Sequence, residues 1–285
     1  MLNMYAKKIL NNSLIEDVGF GDITSEYIIP KNHNSKGEIV IKEKSIICGI
    51  NFIADFLEGH DLKYNILINE GKLANENSKI MEIYGNTRKI LALERTILNF
   101  LMHLCGIATK TYNIVSMVRK INKKVKIACT RKTLPGLSPI EKYAVHIGGG
   151  DTHRFRLDDM VMIKDNHIEA LGVDECFNRL KKVSFSKKIE VEVDSIELLE
   201  KVLPYMPDIV LLDNFKPEDI KGALEVIDNF SEMGYGPPIV EVSGGINEKN
   251  VMEYAKYNID IISMGCLIHS APAIDMGLDI KKINN

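Results

Sequence analysis

The sequence has few cysteines, and no two of them form a CxxC motif. Five are scattered along its 285 residues: Cys48, Cys105, Cys129, Cys176 and Cys266. An odd, scattered set is not the pattern of a disulfide framework and is typical of reduced thiols in the cytoplasm. We therefore expect a cytoplasmic protein.

Long apolar runs are also missing. The first 17 residues carry charged side chains at positions 7, 8, 16 and 17 and lack the apolar run of a signal peptide. No uninterrupted apolar stretch approaches the roughly 20 residues that span a bilayer. The sequence therefore predicts a soluble protein with no membrane partner.

An excess of positive charge is absent too. The chain has 36 lysines and arginines against 39 aspartates and glutamates, a formal net charge of -3 and a pI of about 6.2. No overall basic field is available to recruit nucleic acid. If the substrate is an anion, positive side chains must be concentrated locally.

No Ser/Gly-rich linker or low-complexity tract divides the chain, yet its pattern changes near residue 124. The first part is an α+β pattern: a helix over 1–16, strands over 38–42 and 80–84, and helical spacing over 90–121 with a possible break at Gly106. The second part alternates short β-branched runs with helical segments, which is typical of a parallel sheet, doubly wound or barrel. Strands are expected at 125–130, 160–164, 189–194, 209–213, 239–243 and 259–265, and helices at 168–182, 196–205, 217–233 and 248–257.

The strand over 189–194 alternates carboxylate and apolar side chains. Helices cover the outside of a βα sheet, so Glu190, Glu192 and Asp194 should point to the other side. Burying carboxylates costs several kcal/mol each unless they are paired, which suggests a use for them. The same register turns further polar groups inward or to strand C-termini, where barrel enzymes carry their active sites: Glu241, Ser243, Asp213 and Lys164.

Cationic side chains recur at the same predicted strand ends. They are Arg131, Lys132, His153, Arg154 and Lys164. A lone Arg-Lys pair is more often part of a solvated loop, but this recurrence in an acidic chain favours a pocket for anions.

Glycines late in the repeat suit a phosphate group. Ser243-Gly244-Gly245 and Gly265 let backbone N–H groups approach phosphate oxygens, with His269 as a further candidate. Ordinary turns remain the alternative for the Ser-Gly-Gly triplet. The spacing of the histidines at 146, 153 and 167 does not favour a zinc site.

Two segments have the pattern of helix starts. Ser138, Pro139 and Glu141 predict a capping box, and Asp194 is interpreted as a helix cap rather than a catalytic group. Arg95 lies on the apolar helix over 90–104, where a surface charge is the alternative to a functional role.

Together these segments strongly resemble the quinolinate phosphoribosyltransferase family, almost end to end. The motifs that carry the resemblance are EDVGFGDIT at 16–24, LERT at 93–96, the segment 99–109 with GIAT, TRKT at 130–133, GGG with HR at 148–154, IKDNH at 163–167, EVEVD at 190–194, LDN at 212–214, SGG at 243–245, and Gly265 with HSAP at 269–272. One position departs from the family pattern: Ser138 stands where arginine is usual, which puts one cationic contact in doubt.

The resemblance implies an N-terminal α/β sandwich domain over 1–107, with 271–285 packing back on it, and an incomplete, TIM-like α/β barrel over 108–270. It also implies a homodimer, or a dimer-based hexamer, in which each active site is shared between subunits.

The implied activity is transfer of the phosphoribosyl group from phosphoribosyl pyrophosphate to quinolinate, with decarboxylation to nicotinate mononucleotide in NAD biosynthesis. The cofactor would be Mg²⁺, bound mainly through the substrate, with Glu192 and Asp213 as candidate ligands. Catalysis would involve Lys132, Glu192 and Asp213. Quinolinate would be bound by Arg95 (from the partner subunit), Arg131, His153, Arg154 and Lys164, and phosphoribosyl pyrophosphate by Lys132, Glu192, Asp213, Ser243, Gly244, Gly245, Gly265 and His269.

Other functions are compatible with parts of the pattern. Lys164 at a strand end, near phosphate-binding glycines, is also how Schiff-base lyases are built. A pyridine or molybdenum-linked phosphoribosyltransferase with an altered substrate is a further alternative, as is a non-catalytic phosphate sensor. The Arg and His cluster suits the two carboxylates of quinolinate, and a sensor would not need the inward carboxylates.

Overall fold

The computed structural model describes residues 1–282 of the chain. The predicted C-terminal segment 271–285 therefore includes residues 283–285, which lie outside the described residues. The helices are α1 (Leu2–Val18), α2 (Ile23–Ile28), α3 (Ile50–Glu58), α4 (Thr87–Val118), α5 (Ser138–Ile147), α6 (Asp165–Leu171), α7 (Val173–Leu180), α8 (Ile196–Val202), α9 (Pro217–Glu232), α10 (Val251–Tyr254) and α11 (Cys266–His269), with a 3-10 turn at Leu203–Tyr205. The strands are β1 (Asn34–Ile41), β2 (Ser45–Ile46), β3 (Lys63–Ile66), β4 (Leu73–Ala74), β5 (Lys79–Asn86), β6 (Lys126–Ala128), β7 (Val161–Ile163), β8 (Ile189–Val193), β9 (Ile209–Asp213), β10 (Ile239–Ser243), β11 (Ile261–Ser263) and β12 (Met276–Lys282).

The chain forms two compact units. The first contains Met1–Tyr112, Thr133–Gly149 and the chain from Leu267, and the second contains Asn113–Lys132 and Gly150–Cys266. Each unit has its own sheet.

The first unit is built on an antiparallel sheet with strand order β12-β1-β5-β3. Strand β12 comes from the end of the chain and pairs with β1, for example at Ile39 and Leu278. Apolar side chains of β1 and β5 are fully buried, among them Ile39, Ile41 and Ile83. Burial of this face supplies the main stabilising free energy of the sheet.

Helix α4 runs without interruption from Thr87 to Val118, so the expected break at Gly106 is wrong. A Cβ atom at position 106 would lie 2.1 Å from the carbonyl oxygen of Pro272. This glycine therefore permits close backbone approach and does not end the helix. The helix is long and apolar enough to cross a membrane, but 61% of its apolar window is buried inside the protein, as in a core helix.

The predicted capping box at α5 is also wrong. The N-cap is Leu137, and no side chain caps the helix. The carboxylate of Glu141 is fully buried and accepts hydrogen bonds from the backbone N–H of Leu134 (3.0 Å) and from Nε2 of His103 (2.8 Å). Because those long-range contacts engage both of its oxygens, Glu141 does not reach back to the helix start.

The second unit is a six-stranded parallel sheet with strand order β6-β11-β10-β9-β8-β7. Strands that follow one another in the chain are neighbours from β7 to β11, and β6, the first of the six, lies beside β11, the last. This return of the first strand to the last is the order of a barrel. No ladder joins β6 to β7 among residues 1–282, so the barrel is incomplete, and the predicted fold class is confirmed.

All six predicted strands of this unit are present, and the helices differ in three places. The helix expected over 248–257 is shorter and spans Val251–Tyr254. The helix expected over 168–182 is two helices, α6 and α7, separated at Gly172, where φ is 77°. The cap of α8 is Ser195, whose side-chain oxygen accepts from the N–H of Leu198 (3.4 Å), so the assignment of the cap to Asp194 is wrong.

Candidate active site

The second unit contains a cavity of about 410 Å³ at the ends of its strands. Its polar lining includes cations, carboxylates and hydroxyl groups, with two apolar side chains between them. The lining residues are Thr130, Arg131, Lys132, His153, Arg154, Met162, Lys164, Glu192, Leu211, Asp213, Glu241, Ser243 and Ser263.

Strand geometry explains why these side chains meet. Parallel strands present their C-terminal ends at one edge of the sheet, and residues two apart point to the same side. Lys164 directly follows β7, Asp213 ends β9 and Ser243 ends β10. Glu192 on β8 and Glu241 on β10 are both in register with Leu211 on β9 between them. Of the side chains predicted to face inward, Glu192, Glu241 and Ser243 line the cavity and Glu190 is buried. Asp194 follows the end of β8 and is exposed, so its predicted inward direction is wrong.

Two carboxylates and a lysine lie on neighbouring strands. The ammonium of Lys164 donates to Oε2 of Glu192, whose side chain is 14% exposed. Burial raises the pKa of Asp213, and the negative charge of Glu192 raises it further. Asn214 donates to Oδ2 of Asp213 (2.7 Å). Glu192 and Asp213 therefore act on each other electrostatically.

Two guanidinium groups share the cavity. Burial lowers the pKa of Arg154, and the positive charge of Arg131 lowers it further. The carboxylates of Glu190, Asp159 and Glu192 act in the opposite direction. Two guanidinium groups that repel each other in a partly desolvated cavity would be stabilised by an anion with two carboxylates.

His153, Glu190 and Glu241 form a buried cluster in this unit. Nε2 of His153 lies 3.0 Å from Oε2 of Glu241 and 3.7 Å from Oε2 of Glu190. Among the described residues, neither oxygen of Glu190 has a hydrogen-bond partner, and Oε1 of Glu241 has none. Burial and the charge of Glu241 raise the pKa of Glu190 to about 8. Such a carboxyl group holds its proton at neutral pH.

The three ligand atoms of this cluster lie within 4.8 Å of one another, as they would around a metal ion. The backbone N–H of Arg154, however, donates to Nδ1 of His153 at 2.7 Å. A backbone N–H can only donate, so Nδ1 is the acceptor nitrogen and the ring proton sits on Nε2. Because a protonated Nε2 cannot ligate a metal, this hydrogen-bond pattern favours a proton donor to Glu241 over a metal centre.

The turn after β10 requires glycine at one position. Gly244 has φ 95°, and a Cβ there would lie 2.3 Å from Oδ1 and 2.5 Å from the backbone nitrogen of Asn214. Gly245 follows with φ 62°. Consecutive residues with positive φ after Ser243 expose backbone N–H groups in a turn, an arrangement that suits an anion.

The remaining predicted site residues do not line this cavity. Gly265 lies in the turn between β11 and α11. Arg95 and His269 belong to the first unit. Arg95 lines a separate cavity of about 450 Å³ together with Ser13, Glu16, Asp17, Thr96 and Asn99. His269 ends α11, and its Nδ1 lies 2.7 Å from Oγ of Ser270.

Several lining residues were not predicted as site residues. The sequence pattern predicts that Glu241 faces inward but does not predict a binding or catalytic role for it. Ser263 ends β11 two residues before Gly265, so the same strand-end rule could have found it. Met162 and Leu211 carry no polar signal, and only the register of the strands identifies them.

The comparisons with known proteins agree along the chain. Residues 22–105 match the family model for the N-terminal domain of quinolinate phosphoribosyl transferase, and residues 107–279 match that for its C-terminal domain. The probable carboxylating nicotinate-nucleotide pyrophosphorylase of Methanocaldococcus jannaschii is 58% identical over 283 residues, 99% of each chain. The carboxylating enzyme of that name from Mycobacterium leprae is 35% identical over 96% of this chain and 97% of its own. The structure of the nicotinate-nucleotide pyrophosphorylase from Francisella tularensis matches with a TM-score of 0.90 and 34% identity, over 98% of this chain and 97% of that one.

Proposed function

Because the chain belongs to the quinolinate phosphoribosyl transferase family, we propose that it converts quinolinate and phosphoribosyl pyrophosphate to nicotinate mononucleotide, pyrophosphate and CO₂. This would be a step of NAD biosynthesis in the cytoplasm. The observation that carries the proposal is one cavity lined by four lysine and arginine side chains and three carboxylates in a chain of net charge -3.

The cationic side chains suit the two carboxylates of quinolinate. A guanidinium binds a carboxylate through two parallel hydrogen bonds, and Arg131 and Arg154 would do so here. Lys164 would contribute a third positive charge once a substrate carboxylate replaces Glu192 as its partner. Together these groups fix the pyridine nitrogen relative to the second substrate.

The other side of the cavity suits phosphoribosyl pyrophosphate. The turn at Ser243, Gly244 and Gly245 would bind phosphate oxygens through backbone N–H groups, and Gly265 would contribute in the same way. Lys132 would neutralise charge on the leaving pyrophosphate. Glu192 and Asp213 would bind ribose hydroxyl groups and stabilise positive charge that develops on the sugar.

The chemistry needs positioning more than a strong base. The pyridine nitrogen forms a bond to the anomeric carbon while the bond from that carbon to pyrophosphate breaks. The ring nitrogen is then positively charged, and it stabilises the electron pair that stays on the adjacent ring carbon when the carboxylate there leaves as CO₂. The ring carbon then takes up a proton. The residues of the cavity would bind, orient and neutralise charge in these steps.

Glu192 and Asp213 also fit a Mg²⁺ ion. Both present carboxylate oxygens to the same cavity, and Mg²⁺ in such sites is held by one or two carboxylates together with substrate phosphates. When bound, the ion would neutralise charge on the pyrophosphate.

The lysine geometry does not favour a Schiff-base lyase. Nζ of Lys164 donates to Glu192, whereas a Schiff-base lysine needs its lone pair available to a carbonyl carbon. We expect no adduct after borohydride treatment with a phosphorylated keto substrate, and trapping on Lys164 would support the lyase.

A direct assay tests the function. Protein is mixed with quinolinate, phosphoribosyl pyrophosphate and Mg²⁺, and pyrophosphate and CO₂ are measured together. We expect both products in equal amounts, and none from quinolinate without the second substrate. In a control, nicotinate replaces quinolinate. Because nicotinate lacks the carboxylate that leaves, we expect no CO₂ from it. Pyrophosphate release without CO₂ would contradict the decarboxylating reaction.

Arg131→Ala tests the quinolinate subsite. Loss of a charged hydrogen-bonding pair costs about 1.5–3 kcal/mol, so we expect the KM for quinolinate to rise about 10–100-fold. Arg119, which is exposed, gives a matched control in Arg119→Ala. A normal KM for quinolinate in Arg131→Ala would remove that side chain from the subsite.

We also propose a homodimer, or a dimer-based hexamer, in which Arg95 completes the active site of the partner subunit. Support comes from the family resemblance and from the exposure of the Arg95 side chain, which is 56%. His269 would act at the phosphate subsite. If sites are shared, mixing Arg95→Ala and Arg131→Ala proteins at a low quinolinate concentration, where each alone has little activity, should restore about a quarter of the unmodified activity through mixed dimers. No recovery after exchange of subunits would show that each chain uses its own Arg95.

A further inference from the structure

His153 holds an uncommon backbone conformation at the edge of the cavity. Its φ is 52°, in the left-handed region that few side chains other than glycine adopt. Such a conformation persists only where surrounding contacts fix it. One contact is local: the backbone N–H of His153 donates to Oδ1 of Asp151 (2.9 Å). Another comes from β10, where Glu241 accepts from Nε2 at 3.0 Å.

The imidazole ring connects Glu241 to the next residue. Nε2 carries the proton and donates to Glu241, while Nδ1 accepts from the backbone N–H of Arg154 at 2.7 Å. Both ring nitrogens therefore have partners within the chain. The side chains of His153 and Glu241 are 10% and 1% exposed, so water competes little for these hydrogen bonds.

The side chain of Arg154 extends from the backbone that this ring contacts. Its contacts include the carbonyl oxygen of Met160 at 3.4 Å and the sulfur of Met162 at 3.1 Å. The first is long and the second is to a weak acceptor. The backbone of Arg154 sets where its side chain starts, so a shift of that backbone would move the guanidinium relative to a substrate carboxylate.

We propose that Glu241 is a positioning residue for quinolinate: it fixes the His153 ring, and through the ring it holds the backbone of Arg154 where the guanidinium meets a substrate carboxylate. The proposal rests on the proposed function. Glu241 should affect the binding of quinolinate and not that of phosphoribosyl pyrophosphate. Removing its side chain should weaken quinolinate binding, whereas simple electrostatics predicts that binding would become stronger.

The sign follows from charge. Glu241 is negative and lines the cavity, so its removal should strengthen the binding of a dianion if only charge mattered. We expect Glu241→Ala to weaken quinolinate binding about tenfold or more, because the acceptor for Nε2 is lost. Glu241→Gln removes the charge and keeps an acceptor oxygen, so we expect it to bind quinolinate as well as the unmodified protein, or more tightly.

The experiment measures quinolinate binding by titration calorimetry on the full chain. Glu241→Ala is made alone, with Arg154→Ala and with Arg131→Ala. If Glu241 acts through Arg154, its effect should disappear in the Arg154→Ala background and persist in the Arg131→Ala background. Binding of phosphoribosyl pyrophosphate is measured in parallel and should change less than about twofold, since Glu241, His153 and Arg154 are not assigned to that subsite.

A second measurement does not depend on any variant folding. Long-range proton–nitrogen NMR of the unmodified protein with labelled histidine reports the tautomer of each ring, and His153→Gln assigns the signal. We expect the Nε2-protonated form for His153. The proposal is overturned if that ring is protonated on Nδ1, or if Glu241→Ala binds quinolinate as tightly as Glu241→Gln does. Absence of quinolinate binding to the unmodified protein would instead contradict the proposed function.

Discussion

Glu190 offers the sharpest test of how the second unit tolerates buried charge. Its side chain, on the second residue of β8, is fully buried, and neither of its oxygens has a hydrogen-bond partner among residues 1–282. Burial raises its pKa from the ordinary 4.5 to about 8, the charge of Glu241 adds to the effect, and the positive charge of Arg154 opposes it. Replacing Glu190 with glutamine keeps the shape and removes the possibility of ionisation.

The sign of the pH effect follows from that shift. The folded state holds the proton of Glu190 more tightly than the unfolded chain does, so the contribution to stability is fully present below about pH 4.5 and is lost as the pH rises through about 8. Between pH 6 and pH 8 this amounts to about 2 kcal/mol of unfolding free energy, at 1.4 kcal/mol per pH unit with allowance for partial ionisation near pH 8. In Glu190→Gln that part of the pH dependence should be missing.

The assay is the thermal midpoint of unfolding at pH 6, 7 and 8. For a domain of about 150–250 residues, the expected loss of about 2 kcal/mol corresponds to a fall of about 4–8 °C in the thermal midpoint between pH 6 and pH 8. Glu190→Gln should not show this fall. Glu200→Gln, at an exposed position of α8, is the matched control and should follow the unmodified protein. Parallel pH profiles for all three proteins would mean that Glu190 is already ionised at neutral pH, and the account of the buried cluster would be wrong.

Three glycine substitutions give the remaining predictions. Gly106→Ala should lower the unfolding free energy by about 2 kcal/mol or more, because its Cβ would lie 2.1 Å from the carbonyl oxygen of Pro272; an unchanged thermal midpoint would contradict this contact. Gly222→Ala in α9, where no atom lies within 4 Å of the added Cβ, is the control and should stabilise the helix by about 0.5–1 kcal/mol. Gly244→Ala should raise the KM for phosphoribosyl pyrophosphate about tenfold or more, since the added atom would clash with Asn214; a normal KM would exclude the turn from the phosphate subsite.

The parallel sheet and the side that faces the cavity were predictable from local pattern. Each β-branched run was long enough to mark one strand, and alternation of carboxylate and apolar residues fixed the direction of every side chain on β8. Glu190 is buried and Glu192 lines the cavity as that alternation requires. Strand-end rules then brought Lys164 and Asp213 to the same edge.

The errors arise where a distant contact replaces a local one. Glycine at position 106 suggests a helix break, yet Gly106 lies inside α4. A side chain there would collide with the backbone carbonyl oxygen of Pro272, which explains the glycine. Glu141 has the spacing of a capping box, but its carboxylate accepts hydrogen bonds from His103 and from the N–H of Leu134 instead of from the start of α5. The ring of His153 is a similar case, since no pattern reveals which partners its nitrogens meet.

The carboxylates of the cavity offset the repulsion among its clustered cationic side chains. Cations brought together in a partly desolvated space are costly: burial lowers the pKa of Arg154, and the positive charge of Arg131 lowers it further. Carboxylates on neighbouring strands offset the repulsion, most directly where Glu192 accepts from Lys164. A substrate carboxylate that takes Lys164 from Glu192 replaces one ion pair with another, so little Coulomb energy is lost in the exchange. Under the proposed function, the same exchange would free Glu192 for the ribose or the metal ion, and we therefore expect quinolinate and phosphoribosyl pyrophosphate to favour each other's binding.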